Sequence, residues 1–398
     1  MGMNRAWRYR LYPSKAQQKS LDNHLHECKT LWNALLEYTK AYYTATGRFP
    51  TRNGLYLLTK GHNLFSQVAQ NVADRLSKSL KVMMSKKKAG KRAGFPRFKS
   101  IERVKSFTCP QFGFRLAERL ELSGLGSIAI KKHRMLEGEI KTLTMKKMPS
   151  GKWFAIFTSE VETSEVLRKT GKSVGLDLGI ETFAHLSDGS KIENPRYLRL
   201  AEERLKLAQR RMSKKKNGSL NRAKARKDVA IAHEKLTNKR RDFLHKASHI
   251  LVNRYALIAM ESLNNEGLAR GFLAKEVLDC GWAEFSSMLR YKAEETGCEV
   301  ILVNPAHTTS MCSSCGLIRK KSLAERWHEC PCGASMHRDL NAAINILQRA
   351  TGGTSESQVC GEETPTRYKY DEQVSSMKQE AHGFLAASGR GDPESKAL

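Results

Sequence analysis

The chain has 398 residues, 40% apolar and 27% charged, which is enough for two or three domains with sizeable cores. Its formal net charge of +29 and pI near 9.8 are out of the ordinary, because self-repulsion on that scale opposes compaction unless a polyanion neutralises it, so nucleic acid is the expected partner. No apolar run approaches the roughly 20 residues that span a bilayer, and the opening Met1-Gly-Met-Asn-Arg5 lacks a signal peptide's apolar core. A soluble intracellular protein with no membrane partner is expected, and its scattered cysteines (Cys28, Cys109, Cys280, Cys298, Cys360) read as thiols rather than a disulfide framework.

Arg5-Ala-Trp-Arg-Tyr-Arg-Leu-Tyr-Pro13 alternates basic with apolar residues, predicting a strand with a cationic face carrying Arg8 and Arg10 and ended by Pro13. Ser14 with Gln17 forms a capping box, and Leu21, Leu25, Cys28, Leu31, Trp32, Leu35 and Leu36 recur at helical spacing to about Ala45. A second helix is predicted over 66–84, with Val68, Val72, Leu76, Leu80 and Met83 inward and Arg75, Lys78 and Lys81 outward. The stretch 85–99 mixes positive charge with Gly, Pro and Phe and reads as a loop, in which Lys86, Lys87, Lys88, Arg97 and Lys99 contact phosphates and Phe95 and Phe98 stack on bases. A solvated basic linker is the plainer alternative. Short β runs at 106–111, 127–131, 140–145 and 153–159 predict a barrel-like β domain completed by the N-terminal strand.

From Gly171 the pattern is α/β. Strands are predicted at 173–179, 181–187 and near Lys191, with Ser187-Asp-Gly-Ser190 as a hairpin turn. Long basic helices follow at about 197–216 and 220–254; between Arg196 and Asp242 stand 17 Lys plus Arg against 5 Asp plus Glu, an excess beyond what salt-bridged helices need. Arg210, Arg211 and Lys214 there are candidate backbone contacts. Strand 256–261, helix 283–295, strand 299–303, a cysteine cluster and a helix over 339–349 complete the pattern, and the tail from Thr351, lacking periodicity, is expected to be disordered.

Three consecutive strands, a crossover to a fourth, then helix, strand and helix is the order of the ribonuclease H-like fold. That order makes the first and fourth strands parallel neighbours, so Asp177 and Glu261 end side by side and Asp339, at a helix start, can face them. Alone, each acid is as well explained as a cap. Together they are hard oxygen ligands for Mg²⁺ or Mn²⁺, as used in two-metal phosphodiester hydrolysis. Gly175-Leu-Asp-Leu-Gly179 also suits a nucleotide-phosphate turn of actin-like ATPases, but the second glycine-rich hairpin that reading needs is not found. Cys312-Ser-Ser-Cys-Gly316 and Cys330-Pro-Cys-Gly333, fourteen residues apart, are a zinc-ribbon pattern in which Cys312, Cys315, Cys330 and Cys332 hold structural Zn²⁺; the second knuckle is one residue short, leaving room for His328 or His337 to replace a cysteine.

Trp7-Arg-Tyr-Arg-Leu-Tyr-Pro13, Gly94-Phe-Pro-Arg-Phe-Lys99, Ser106-Phe-Thr108, Gly175-Leu-Asp-Leu-Gly-Ile180, Glu261-Ser-Leu-Asn264, Cys312-Ser-Ser-Cys-Gly316 and Arg338-Asp-Leu-Asn-Ala-Ala343 together resemble the TnpB (OrfB) proteins of insertion sequences, over about residues 3–350. The resemblance implies an RNA-guided DNA endonuclease, related to type V CRISPR effectors. A guide RNA from the transposon end directs cleavage of double-stranded DNA beside a short adjacent motif, with Asp177, Glu261 and Asp339 as the RuvC triad. It implies an α+β multidomain chain. Residues 1–13 and 100–170 form a wedge domain, 14–99 a helical recognition domain, 171–306 and 337–350 a RuvC-like nuclease domain, 307–336 a zinc ribbon and 351–398 a tail. The expected setting is a prokaryotic cytoplasm, at the nucleoid, with one protein per RNA. The chain departs from the family at His337, where an acidic residue is frequent, and at the short second knuckle. A nuclease-inactive RNA-guided repressor is the competing class, distinguished by lost triad carboxylates, all three of which are present here; a transposase or its accessory DNA-binding protein fits the zinc insertion poorly.

Overall fold

The computed structural model describes residues 2–162, 168–322 and 325–352. The tail expected to be disordered lies outside these from residue 353 on, as does Cys360. The described residues fall into two compact units: one from Met1–Val166 and Arg196–Asp242, the other from Leu167–Pro195 and the chain from Phe243 on.

In the first unit, β1 (Gly2–Tyr12) buries Trp7, Tyr9 and Leu11 on one face, as period-2 alternation requires. The opposite face carries Arg8, whose guanidinium lies 3.8 Å from the Phe154 ring centre, and Arg10. Helix α1 (Lys15–Thr46) starts from Ser14 with both capping-box bonds and ends at Gly47, whose left-handed φ of 67° a side chain would resist. Helix α2 (Arg52–Leu57), absent from the expectation, is capped by Thr51. Helix α3 (Ser66–Lys88) packs its Val68–Met83 stripe on α1.

Helix α3 runs four residues further than the sequence pattern indicated, so Lys86, Lys87 and Lys88 are helical rather than in a loop. Lysine is a good helix former, and cations in a last turn face the negative end of the helix dipole. Strands β2 (Ser106–Cys109), β3 (Phe114–Leu116), β4 (Leu120–Leu122), β5 (Gly126–Lys131), β6 (Glu139–Lys147) and β7 (Trp153–Glu162) join β1 in an antiparallel, nearly closed sheet of order β2-β6-β7-β1-β5-β4-β3. The N-terminal strand sits at its centre, paired with β7 from Gly2–Glu162 to Leu11–Trp153.

The second unit is built on a five-stranded sheet of order β10-β9-β8-β11-β12. Strands β8 (Ser173–Leu178), β9 (Thr182–Leu186) and β10 (Lys191–Glu193) form an antiparallel meander. The chain passes through α4 (Tyr197–Ser213) and most of α5 (Leu220–Arg254) in the first unit and re-enters the second at Phe243, leading to β11 (Leu257–Glu261), which pairs parallel to β8 and to β12 (Glu299–Val303). Between β11 and β12 lie α6 (Asn265–Leu268), α7 (Ala274–Cys280) and α8 (Trp282–Thr296). The cysteine segment adds the hairpin β13 (Trp327–Glu329) and β14 (Ser335–His337), and α9 (Arg338–Thr351) returns across β8 and β11. Val174, Leu176, Phe183 and Ile258 of the sheet and Phe285 and Leu289 of α8 are buried in one core.

Candidate active site

Strand pairing decides where the carboxylates stand. The parallel β8–β11 register sets Met260 opposite Leu176, so the next residues, Glu261 and Asp177, occupy neighbouring carboxyl ends of adjacent strands. Helix α9 comes down over β8 at Gly175, where a Cβ would lie 2.0 Å from the Ala343 carbonyl oxygen; only glycine allows that approach. Asp339 lies in the first turn of α9, beyond the N-cap His337, whose ring Nδ1 accepts from the Asp339 backbone N–H at 3.3 Å.

The electrostatics of the three acids differ. Burial, then the like charges of Glu261 and Asp339, push the Asp177 carboxyl up to about 8, with Arg338 opposing. Burial also raises Glu261, while the Thr308 hydroxyl, donating to its Oε1 at 2.5 Å, and Arg349 draw it back. Asp339 accepts from Arg338 Nε at 3.2 Å on Oδ1 and turns Oδ2 toward the imidazoles of His185 and His337. Burial holds the His185 imidazole below its usual range against the pull of Asp339. A carboxyl raised by burial and, next, by two neighbouring acids fits a divalent cation, which would supply counter-charge where Asp177 has little.

The four clustered cysteines also converge. Their sulfurs lie within 4.8 Å of one another, with Cys312 to Cys332 at 3.7 Å and Cys315 to Cys330 at 3.5 Å. Those spacings match a tetrahedron of thiolates about 2.3 Å from a zinc ion, whose sulfurs stand roughly 3.8 Å apart. Burial pushes the Cys312 thiol up, but contacts from His328 and the backbone N–H groups of Cys315 and Ser314 outweigh it and draw the thiol below its usual range. Gly316 and Gly333 turn the knuckles at φ of 76° and 91°. The short knuckle thus closes on cysteine, with His328 buried alongside and His337 grouped with Asp339 instead.

Several residues of the site had no role in the sequence reading. Asn341 accepts from Ser313 N–H at 2.9 Å and donates to the Met311 carbonyl at 2.7 Å; Asn345 donates to the Thr308 and Met311 carbonyls at 2.8 and 2.7 Å. These two asparagines, one turn apart on the buried stripe of α9, fasten the loop leading to the first knuckle and place Thr308 on Glu261. Their signal was legible: two polar residues, four apart, on an otherwise apolar helix face. Thr308 offered none, and His185 becomes visible only through its register opposite Asp177.

The candidate nucleic-acid contacts divide. Arg75 is a correction: its guanidinium is buried, donating to the Ser106 carbonyl at 3.1 Å and Thr108 Oγ1 at 2.6 Å, so it ties α3 to β2 rather than facing a ligand. Phe95 packs into an aromatic group with Tyr43 and Phe49 and is not free to stack on a base. Lys99 lies over the Trp32 ring at 3.2 Å, its backbone bonded both ways to Asn33. Arg8 and Arg10 lie on Phe154, with Arg10 donating to the Trp153 carbonyl at 3.3 Å. Lys78, Lys86, Lys87, Lys88, Arg97, Phe98, Arg210, Arg211 and Lys214 are exposed.

Three family models match: one described as a probable transposase (OrfB of IS605) over residues 156–271, one as a Cas12f1-like TNB domain over 282–346, and one as a helix-turn-helix domain over 1–48. The last region is here a strand followed by one unbroken helix. Among solved structures, a Cas12f1–sgRNA–target DNA complex matches with a TM-score of 0.53 at 12% identity, covering 87% of this chain and 98% of that one. The fold is therefore that of the miniature Cas12f effectors. A Streptomyces pristinaespiralis protein named as a candidate RNA-guided DNA endonuclease is 33% identical over 98% of this chain and 99% of its own length. InsQ of Escherichia coli K12, named likewise, is 31% identical over 65% of this chain and 69% of its own. The chain belongs to the TnpB (OrfB) family of IS605-type elements.

Proposed function

We propose that the protein is an RNA-guided DNA endonuclease of a transposable element, using a guide RNA from the element's end to select double-stranded DNA beside a short adjacent motif. The observation that carries this reading is the placing of Asp177 on β8 within the electrostatic reach of both Glu261 at the end of β11 and Asp339 at the start of α9, in a chain of charge +29. In this reading the five-stranded sheet is a RuvC-like, ribonuclease H-type core. Residues 171–306 and 337–350 form the nuclease domain, 307–336 a zinc ribbon, 1–13 and 100–170 a wedge, and 14–99 a recognition domain.

Asp177, Glu261 and Asp339 would hold Mg²⁺ or Mn²⁺, and Cys312, Cys315, Cys330 and Cys332 structural Zn²⁺. Bound divalent ions there would supply an acidified water and neutralise charge on the scissile phosphate. The chain's own residues prepare the site. Thr308 fixes the Glu261 carboxylate, Arg338 holds one oxygen of Asp339, and burial keeps Asp177 poorly compensated and receptive to a cation. Asn341 and Asn345 brace the loop that carries Thr308. Exposed Arg210 and Arg211 on α4, Lys214 just after it, and Lys86, Lys87 and Lys88 on α3 would meet phosphate backbone. The setting is a prokaryotic cytoplasm, with one protein per RNA.

The test is purification from cells that also express the transposon end. The reading requires a defined RNA to co-purify, part of it matching the DNA that the complex cuts in Mg²⁺. A protein that binds no RNA under nuclease-free conditions would overturn it.

A further inference from the structure

Beside the carboxylates stands a second convergence, of different chemistry. The antiparallel β8–β9 register sets His185 directly opposite Asp177, which brings its ring to the carboxylates. The β13–β14 hairpin delivers His337 to the start of α9. The two imidazoles stack with centres 4.9 Å apart and planes at 24°. His185 Nδ1 lies 3.6 Å and His337 Nδ1 3.9 Å from the same oxygen, Oδ2 of Asp339, and one ligand atom from each of the three residues falls within 4.8 Å of the others.

Neither imidazole is within hydrogen-bonding distance of that oxygen. The Asp339 carboxylate is divided, with Oδ1 engaged by Arg338 and Oδ2 facing two ring nitrogens across a gap. Ligands about 2.1 Å from a shared ion stand roughly 3–3.5 Å apart, so side-chain adjustments of up to about an ångström, within reach of rotation about the two histidine side chains, close this set around one. Two histidines and a carboxylate are a ligand set for first-row transition dications; Mg²⁺ prefers oxygens alone. The bond from Asp339 N–H to His337 Nδ1, long at 3.3 Å, is the one cap contact such an ion would compete with.

We infer that His185, His337 and Asp339 form a mixed nitrogen–oxygen site for a transition-metal dication such as Mn²⁺, sharing Asp339 with the carboxylate site. The inference rests on the proposed function only for the part Asp339 plays in cleavage. One consequence is metal preference: an ion at Asp339 gains imidazole ligands that Mg²⁺ does not favour, so Mn²⁺ is retained against excess Mg²⁺.

The experiment uses the full chain with its cysteine site zinc-loaded, so that thiolates are occupied, and Mn²⁺ alone as the probe. Pulsed electron paramagnetic resonance of the bound Mn²⁺ should show ¹⁴N coupling from imidazole, which a tenfold excess of Mg²⁺ does not remove. His185→Gln and His337→Asn should each weaken Mn²⁺ binding about tenfold or more, and the double variant should lose the coupling. Asparagine is a good N-cap residue, so His337→Asn removes the ring while keeping the start of α9. Mn²⁺ bound to the wild type without ¹⁴N coupling, or coupling and affinity unchanged in the double variant, would overturn the site. DNA cleavage in Mg²⁺ on the same samples separates the two claims: coupling without cleavage sustains the site against the proposed function, and cleavage without coupling does the reverse.

Discussion

Gly175→Ala tests how the site is assembled without touching a charged residue. The added Cβ would meet the Ala343 carbonyl oxygen at 2.0 Å, Leu347 N at 2.8 Å and Leu347 Cβ at 3.0 Å. Two of those three atoms are backbone, so no side chain can swing aside and α9 must retreat from β8 by about 1 Å to restore normal contact. Overpacking of this kind costs about 3 kcal/mol at the upper end of its usual range, which lowers the unfolding temperature of a unit this size by roughly 6–12 °C. Because α9 carries Asp339, the same retreat misplaces one carboxylate against the other two, and an error near 1 Å in a reacting constellation costs about 100-fold in rate. Calorimetry and a cleavage assay on matched duplex DNA read the two effects. Gly94→Ala is the control, since a Cβ there meets nothing within 4 Å. A Gly175→Ala protein with wild-type melting and wild-type cleavage would refute the close packing of α9 on β8 as what sets the site.

Four further outcomes follow from the geometry. Zinc analysis should find about one ion per chain, lost on Cys315→Ser with a fall in thermal stability, since binding energy at a structural site is folding energy; a zinc-free protein of unchanged stability contradicts the four-cysteine assignment. Lys99, held at about 8 by burial and by Arg75, lies below its ordinary 10.5. The unfolded chain therefore binds more protons between those values, and stability rises with pH across that window. Lys99→Met should abolish the rise, read as the difference in urea midpoints at pH 8 and 10; an equal rise in both proteins removes the claim. Arg75→Ala should lose about 2 kcal/mol of stability through its buried donors. Replacing Arg210, Arg211 and Lys214 together by Ala should leave stability alone but lower the salt dependence of RNA binding by about 2; the opposite pattern would reverse their assignments.

What could be read from the sequence followed physical scale. The capping box at Ser14 and the seven apolar positions of α1 are local signals, and the helix appears where they place it. The strand order of the second unit was legible because each strand is a separate apolar run, and order alone makes β8 and β11 neighbours. Elements of three to seven residues, among them β3, β4, β13, β14, α2, α6 and α7, carry too few periods to stand out and were missed. Charge was the least reliable guide to contact. Arg75 and Lys78 look alike in sequence, yet one is buried on β2 and the other faces solvent, because a helix face is decided by what packs on it. At the site, acids on strand ends could be found and the paired asparagines left a helical-spacing signal, but Thr308 and His185 act through tertiary contacts that no local pattern encodes.

The most direct test of the central claim is cleavage of guide-matched duplex DNA by the RNA-bound protein in Mg²⁺, comparing the wild type with Asp177→Ala. If Asp177, Glu261 and Asp339 together hold the ions, removing one should lower the rate by about a thousandfold or more, about 4 kcal/mol of barrier, while RNA and DNA remain bound. Undiminished cutting by Asp177→Ala would contradict the account.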